Sequence, residues 1–183
     1  MKFIETGISG VYIVEPHIFR DNRGCFFETY NESEFYRNGI TNHFVQDNQS
    51  ESVYGVVRGL HCQLGKYSQA KLVRVLMGKV LDVVVDVRRE SPTFGQYVSV
   101  ELSDENKRQL FVPRHFLHGF AVLSEKVIFA YKCDNFYNKD SEFTVRHDDA
   151  DIGIDWPIPK DRIILSEKDK SAKSLKDLPL NEQ

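Results

Sequence analysis

Short runs of β-branched and aromatic residues dominate the hydrophobic pattern of this chain. The clearest is 80–87, VLDVVVDV, in which Asp82 and Asp86 lie four positions apart on one predicted strand face. Gly, Pro, Asn or charged residues separate the apolar runs at intervals near ten residues, a spacing typical of a sandwich or barrel. The other predicted strands are 10–14, 25–30, 69–76, 97–102, 110–112, 121–123 and 127–132.

Helical signals are few. The tetrapeptide Asn31-Glu32-Ser33-Glu34 predicts a helix start, because an N-cap side chain and an acid three residues later can satisfy each other's free backbone N–H groups. One or two turns should follow to about Gly39. Another helical turn is predicted at 103–107, and the charged segment 160–183 suits short helical or irregular structure. The pattern predicts a single antiparallel all-β domain over residues 1–183.

Charge and composition narrow the classes of function. Lys plus Arg number 24 against 27 Asp plus Glu, so the chain lacks the basic field that drives binding to nucleic acid. No stretch approaches the ~20 apolar residues of a spanning helix, and residues 1–5 lack the apolar run of a signal peptide. The three cysteines, Cys25, Cys62 and Cys133, show no C-x-x-C spacing, which argues against a disulfide framework and a zinc site. We expect a soluble cytoplasmic protein that binds neither nucleic acid nor membrane.

Familiar cofactor and nucleophile motifs are absent. The chain contains no G-x-x-x-x-G-K-[ST], no G-x-G-x-x-G entering a helix, no G-x-S-x-G and no H-E-x-x-H. The sequence therefore gives little support to a P-loop protein, a dinucleotide-binding fold or a hydrolase with a nucleophile elbow.

Two short segments each contain several polar residues of types suited to catalysis or ligand binding. Residues 57–63, VRGLHCQ, place Arg58 near His61 and Gln63, and strand alternation puts His61 and Gln63 on the same face. Residues 113–120 form the second concentration, where a Pro-led turn leads into a strand carrying His118. A single histidine is more often structural than catalytic, so each needs supporting neighbours.

Lys71 lies on the face that the predicted strand 69–76 shares with Val73 and Val75. A lysine inside a small β-domain is costly unless it is paired or faces a wet cavity. The alternative, in which Lys71 lies at a sheet edge, stays open from periodicity alone.

An ordered series of segments carries a family resemblance from about Val14 to Asp169. The segments are FRDNRGCFFETY (19–30), FVQDNQS (44–50), VVRGLHCQ (56–63), QAKLVRVLMGKVLDVVVDVRRESPTFG (69–95), LSDENKRQLFVP (102–113), FLHGF (116–120), AYK (130–132), DIGIDWP (151–157) and LSEKD (165–169). Together they resemble the dTDP-4-dehydrorhamnose 3,5-epimerases, nucleotide-sugar epimerases of rhamnose and surface polysaccharide biosynthesis. The resemblance implies a cupin-type double-stranded β-helix, or jelly roll, with a few short helices. It also implies a homodimer whose N-terminal strands cross to the second subunit.

The activity implied by this resemblance is cofactor-independent epimerisation of dTDP-4-keto-6-deoxyglucose at C3 and C5, giving dTDP-4-keto-L-rhamnose. A carbon next to a ketone can lose its proton because the carbanion spreads onto the carbonyl oxygen as an enolate. The site must then supply a base, a proton donor on the opposite face and a group that stabilises the enolate oxygen. The resemblance assigns the base to His61, the support of its ring to Asp169, the donor to Tyr131 and the enolate contact to Lys71.

The resemblance also implies substrate contacts and two departures from the family pattern. The run HFLHGF (115–120) stands where many members have Gly-Phe-Ala-His-Gly-Phe, and His147 stands where many have Trp. The resemblance therefore does not predict the detailed shape of the pocket. Neither change removes a proposed reacting group, and no metal ligand is implied. The implied substrate-binding residues are Arg23, Glu28, Gln46, Asn48, Arg58, His118, Tyr137, Glu142 and Lys168, of which Arg23 and Glu28 serve the partner's pocket.

Three alternatives remain at this point. A monofunctional 3- or 5-epimerase of a related 4-keto deoxysugar shares these motifs. A metal-dependent cupin is disfavoured because Gln63 stands where an H-x-H pair places its second ligand and no suitably spaced Glu follows. A non-catalytic sugar-binding β-domain would not need a set of His, Tyr, Lys and Asp.

Overall fold

The computed structural model describes residues 1–179, and most of its regular structure is β-strand. The helices are short, α1 (Glu32–Arg37) and α2 (Glu167–Lys170), with 3-10 turns at Gly65–Tyr67, Lys139–Ser141, Lys160–Arg162 and Leu175–Asp177. None of the helices in this described part is long and apolar enough to cross a membrane. The strands are β1 (Lys2–Glu5), β2 (Tyr12–Glu15), β3 (Ile18–Asp21), β4 (Gly24–Phe27), β5 (Gln46–Val53), β6 (Val57–Gln63), β7 (Lys71–Met77), β8 (Lys79–Asp86), β9 (Tyr97–Ser103), β10 (Gln109–Val112), β11 (Phe116–Val122), β12 (Lys126–Cys133) and β13 (Glu142–Thr144).

Two antiparallel sheets enclose the main core. The first has the order β1-β2-β10-β7-β12-β5, the second has the order β13-β6-β11-β8-β9, and β3 pairs with β4 in a separate hairpin. Side chains from both sheets, including Val73, Val84, Phe120 and Phe129, form one buried cluster. Burying each such side chain stabilises the fold by roughly 1.5–3 kcal/mol. The predicted all-β, cupin-type jelly roll is confirmed.

Strand β7 shows how the sequence alternation becomes two packed faces. Val73 and Val75 join the main core, whereas Leu72 packs on the outer face in a cluster with Phe35 of α1. Because β7 lies between β10 and β12, Lys71 belongs to an interior strand. The sheet-edge alternative for Lys71 is therefore wrong.

Local structure departs from prediction where side chains find other partners. Asn31 caps α1 as predicted by accepting from the Glu34 N–H, but the Glu34 carboxylate accepts from Arg37 at 2.7 Å instead of completing a reciprocal cap. Residues 103–107 form a single turn as predicted, in which the Lys107 N–H donates to the Ser103 carbonyl at 3.0 Å and the Asn106 side chain accepts from the N–H groups of Ser103 and Arg108. Short elements occupy 160–179 as predicted, and 180–183 lie outside the described residues.

Several strands carried no clear apolar signal. Strand β5, QDNQSESV, lies at the edge of the first sheet, and its positions alternate between half-buried and exposed along most of its length, so it needs few apolar residues. The predicted strand 25–30 is shorter in the structure and ends at Phe27. The sequence pattern likewise does not predict β1, β3 and β13, which have three or four residues each.

A close approach of two glycines sets the relation of β6 to β11. Gly59 has φ +126°, and a Cβ there would lie 2.6 Å from the Cα of Gly119. The pairing of the two strands shifts register between His118 and Phe120, and His61 lies directly opposite His118. Backbone contact at this point therefore brings the two histidines together on neighbouring strands.

Candidate active site

Side chains from both sheets line two adjoining cavities of about 250 and 230 Å³. Four residues line both: His61, Lys71, Tyr131 and Glu142. The first cavity is also lined by Gln46, Asn48, Cys62, Gln63, Gln69, Cys133 and Tyr137, and the second by Ser50, Arg58, His118, Phe120, Phe129 and Lys168. Of the predicted site residues, the cavity lining includes all but Arg23, Glu28 and Asp169.

His61 is held by a buried carboxylate from 108 residues further along the chain. Its Nε2 donates to Asp169 Oδ1 at 2.6 Å, and the other oxygen of Asp169 accepts from the Ser166 hydroxyl at 2.7 Å. Ser166 is also the N-cap of α2 and accepts from the Asp169 N–H. An ionised carboxylate can only accept, so Nε2 carries the hydrogen and Nδ1 is left free to take a proton.

The surroundings of this pair keep the imidazole neutral and the carboxylate charged. Burial lowers the pKa of His61, and the positive charges of Lys168 and Lys71 act in the same direction, while Asp169 opposes them. Burial disfavours the charge on Asp169, but hydrogen bonds from His61 and Ser166 outweigh it, so the pKa of Asp169 is lowered. A neutral imidazole beside an anionic carboxylate is the state a general base requires.

Tyr131 and Lys71 lie on the sheet opposite His61. Tyr131 is on β12, where it pairs with Asn48 of β5 and Val73 of β7, whereas His61 is on β6 of the second sheet. The Lys71 ammonium lies 6.0 Å from the centre of the Tyr131 ring. Burial raises the pKa of Tyr131, which keeps its phenol protonated at neutral pH. His61 and Tyr131 therefore face one cavity from opposite sheets.

A second histidine and aspartate pair lies on the strands next to His61. The Nε2 of His118 donates to both oxygens of Asp82, at 2.9 and 3.0 Å, and Asp82 is completely buried. Burial raises the pKa of Asp82, and the hydrogen bond and charge of His118 oppose that rise. The carboxylate orients the imidazole at the cavity wall. The sequence pattern predicts the strand face of Asp82 but not this partner.

Glu142 forms hydrogen bonds to two other side chains that line the cavities. It accepts from Lys168 Nζ at 2.8 Å and from the Tyr137 hydroxyl at 3.2 Å. Burial disfavours its charge, but Lys168 outweighs that effect, so the pKa of Glu142 is lowered. This arrangement brings three predicted substrate-binding residues into one hydrogen-bonded chain.

Amide and guanidinium groups complete the lining. Gln46 donates to the side-chain oxygen of Asn48 at 3.0 Å, and Asn48 in turn donates to the Cys133 sulfur at 3.8 Å. Arg58 donates to the Ser52 hydroxyl at 3.0 Å. Burial raises the pKa of Cys62 to about 12 and that of Cys133 to about 11, so both thiols are protonated and neither acts as a nucleophile.

Arg23 and Glu28 lie apart from this cavity. Arg23 is at the exposed tip of the β3–β4 hairpin, where it donates to Asp21 at 2.6 Å. Glu28 follows the hairpin and accepts from the side-chain amide of Asn31. Within one chain, the structure does not bring these two residues together with the other predicted contacts.

His147, one of the departures noted in the sequence, lies at a different cavity, of about 480 Å³. Its backbone carbonyl accepts from the Trp156 indole at 2.8 Å. Among residues 1–179, no group of three or more His, Cys, Asp and Glu side chains is arranged to hold a metal ion.

Comparison with known proteins matches nearly the whole chain to one family. Residues 5–177 match the family described as dTDP-4-dehydrorhamnose 3,5-epimerase. The chain belongs to the dTDP-4-dehydrorhamnose 3,5-epimerase family. A protein of that name from Salmonella typhimurium is 50% identical over 186 residues and covers 100% of both chains.

Solved structures of this epimerase family have the same fold. The crystal structure of dTDP-4-dehydrorhamnose 3,5-epimerase from Elizabethkingia anophelis NUHP1 is 56% identical, with a TM-score of 0.94 over 97% of each chain. The dTDP-6-deoxy-D-glucose-3,5-epimerase of Legionella pneumophila, solved in complex with dTDP-4-keto-L-rhamnose, is 47% identical, with a TM-score of 0.94 over 98% of this chain and 95% of that one. The predicted family, fold and epimerase activity are confirmed.

The pH dependence of this epimerase should report the His61–Asp169 pair. Protonated His61 cannot accept a proton, so kcat/KM should fall as pH drops through a midpoint below the ordinary value of 6.5. Asp169→Asn removes the group that raises the pKa of His61. The midpoint should therefore move further toward acid, and turnover at neutral pH should fall at least about tenfold because the ring loses its support.

Ser166→Ala is the matched control for Asp169→Asn. It removes one hydrogen bond to Asp169 but leaves the carboxylate in place, so its midpoint should stay close to that of the unmodified enzyme. An Asp169→Asn enzyme with an unchanged acid midpoint in steady-state kinetics would contradict the proposed coupling.

Proposed function

We propose that the protein converts dTDP-4-keto-6-deoxyglucose to dTDP-4-keto-L-rhamnose by inverting C3 and C5 with His61, Tyr131 and Lys71. One observation carries this assignment: the His61–Asp169 pair and Tyr131 face the same cavity from opposite sheets. Removal of a proton from one face of a carbon and return of a proton to the other face inverts that centre. The membership in the epimerase family supports the same reaction.

The first half of the reaction makes the enolate. The free Nδ1 of His61 takes the proton from the carbon next to the C4 ketone, and the electron pair of that C–H bond moves onto the ketone oxygen. Asp169 stabilises the imidazolium that forms, and Lys71 supplies positive charge for the enolate oxygen. Inside a cavity with few water molecules, this positive charge stabilises the enolate more strongly than it would in bulk water.

The second half returns a proton from the opposite face. The Tyr131 phenol gives its proton to the carbanion, and solvent then reprotonates Tyr131 and removes the proton from His61. The raised pKa of Tyr131 keeps the phenol protonated before this step. Because the ketone at C4 activates both C3 and C5, the same two groups serve both centres.

The remaining lining residues suit a nucleotide sugar. We assign Arg58 and Lys168 to the diphosphate, since cationic donors match phosphate oxygens. We assign Gln46, Asn48, His118 and Glu142 to the sugar hydroxyls. The ring of Tyr137 lies at the rim of the first cavity and offers an aromatic face for thymine.

A homodimer completes this proposal. The β3–β4 hairpin exposes Phe19 and Phe26 as well as Arg23, and a large exposed apolar patch often marks an interface. We expect the hairpin to reach a partner's cavity and deliver Arg23 and Glu28. Analytical ultracentrifugation should find a dimer, and Phe26→Asp should shift it toward monomer with loss of activity. A fully active monomer would contradict this prediction.

Isotope exchange tests the proposed reaction directly. The protein is incubated with dTDP-4-keto-6-deoxyglucose in D₂O, and deuterium at C3 and C5 is followed by NMR. We expect label and inversion at both carbons. Label and inversion at one carbon only would make the protein a monofunctional epimerase, and no exchange at either carbon would refute the reaction.

Independence from metals and nicotinamide remains a prediction, because the keto group itself accepts the electron pair. Exhaustive EDTA treatment should leave turnover unchanged within experimental error. Restoration of lost activity by Zn²⁺, Fe²⁺ or Mn²⁺ would favour a metal-dependent cupin. A cytoplasmic location is likewise a prediction, which fractionation of the source cells would test.

A further inference from the structure

The loop that follows β12 presents two exposed aromatic residues on a backbone held by a buried glutamine. Phe136 and Tyr137 are 64% and 53% exposed. Gln63, which is only 6% exposed, accepts from the Asn138 N–H at 2.6 Å and donates to the Phe136 carbonyl at 3.4 Å. The residues on both sides of Tyr137 are therefore bonded to one glutamine.

Tyr137 itself is held at two further points. Its backbone N–H donates to the Gln46 side-chain oxygen at 3.1 Å, and its hydroxyl donates to Glu142 at 3.2 Å. Hydrogen bonds thus fix the ring at both ends although half of the side chain is exposed. A ring ordered before binding spares the ligand the entropy cost of ordering it.

The side-chain amide of Gln63 is fully used by backbone groups, two of which belong to this loop. A side-chain amide has two N–H donors, and those of Gln63 serve the carbonyls of Tyr67, at 2.9 Å, and Phe136. Its oxygen serves the Asn138 N–H. Although Gln63 shares a strand face with His61, it has no donor left for a substrate.

We infer that Gln63 is a positioning residue that holds the ring of Tyr137 in place for stacking on the nucleotide base. This inference rests on the proposed function, in which the ligand is a thymidine diphosphate sugar. Two residues on one face of β6 then have different roles. His61 acts on the sugar, and Gln63 acts on the base through Tyr137.

The test compares binding of dTDP and of inorganic pyrophosphate by calorimetry. Gln63→Leu should weaken dTDP binding roughly tenfold because base stacking becomes less well ordered, and pyrophosphate binding should change by less than about twofold. KM for the nucleotide sugar should rise by a similar factor while kcat stays within about twofold. Asn106→Ala is the matched control, because Asn106 also braces a turn through its side-chain amide, away from the cavity.

A double-mutant cycle shows whether Gln63 acts through Tyr137. Tyr137→Ala should weaken dTDP binding, and adding Gln63→Leu to it should cost little more, since the ring is already absent. Full additivity of the two effects, or equal weakening of dTDP and pyrophosphate, would overturn the inference. So would a Gln63→Leu enzyme that binds dTDP like the unmodified protein.

Two further results keep the test decisive. If Gln63→Leu does not fold, Gln63→Glu keeps the acceptor for Asn138 but loses the donors, and it should still weaken dTDP selectively. If the unmodified protein itself neither binds dTDP nor epimerises the sugar, the proposed function fails. If the unmodified protein is active and the Gln63 variant binds dTDP equally well, only the inference about Gln63 is wrong.

Discussion

His61→Asn is expected to lower epimerisation at both C3 and C5 by at least roughly 10²–10⁴-fold, the usual contribution of a positioned base. The amide has no basic nitrogen, so no group on that wall of the cavity accepts the proton. Asparagine is smaller than histidine and polar, and Asp169 keeps its hydrogen bonds to Ser166, so the fold should persist. Deuterium wash-in at each carbon measures the effect, because exchange reports proton removal even when inversion fails.

His43→Asn is the control for this experiment. His43 is an exposed histidine paired with Glu32 on the surface, and its replacement should leave exchange unchanged. Near-normal wash-in by the His61→Asn enzyme would end the assignment of His61 as base. Thermal unfolding of both variants shows whether lost exchange reflects lost chemistry or lost structure.

Tyr131→Phe is expected to exchange substrate hydrogen with D₂O while forming little inverted product. The change keeps the ring, which packs against the main core, and removes the only proton a phenol can give. His61 can still remove the substrate proton and return a deuteron to the same face. Inversion should fall by roughly 10²-fold or more, with exchange retained.

The outcomes for Tyr131→Phe separate three roles. Full epimerisation would show that another group or a water supplies the proton. Loss of exchange together with inversion would show that Tyr131 also stabilises the enolate. Tyr97→Phe controls for the loss of a hydroxyl and should behave like the unmodified enzyme. Tyr97 lies on β9, is partly buried and packs against the buried cluster that contains Val85 and Leu117.

Strands with a strong apolar pattern were predictable because alternation along a strand is a local property. Strand β8 is almost fully buried, so its sequence VLDVVVD had to be rich in β-branched residues. Strand β5 has no such constraint on its outer face, so its polar sequence looks like a loop. Glu34 shows the same limit at a helix start, because Arg37 competes for the carboxylate.

By itself, the sequence determined the β-rich class, the cap on α1, the family resemblance and, through that resemblance, the residues proposed to react. Only the tertiary structure decided that Lys71 lies on an interior strand, that Asp82 supports His118, and that Gln63 holds the loop of Tyr137. These relations join residues far apart in the chain, such as His61 and Asp169, which lie 108 positions apart. Periodicity describes which face a residue takes on its own strand, whereas strand order and register decide which residues that face meets.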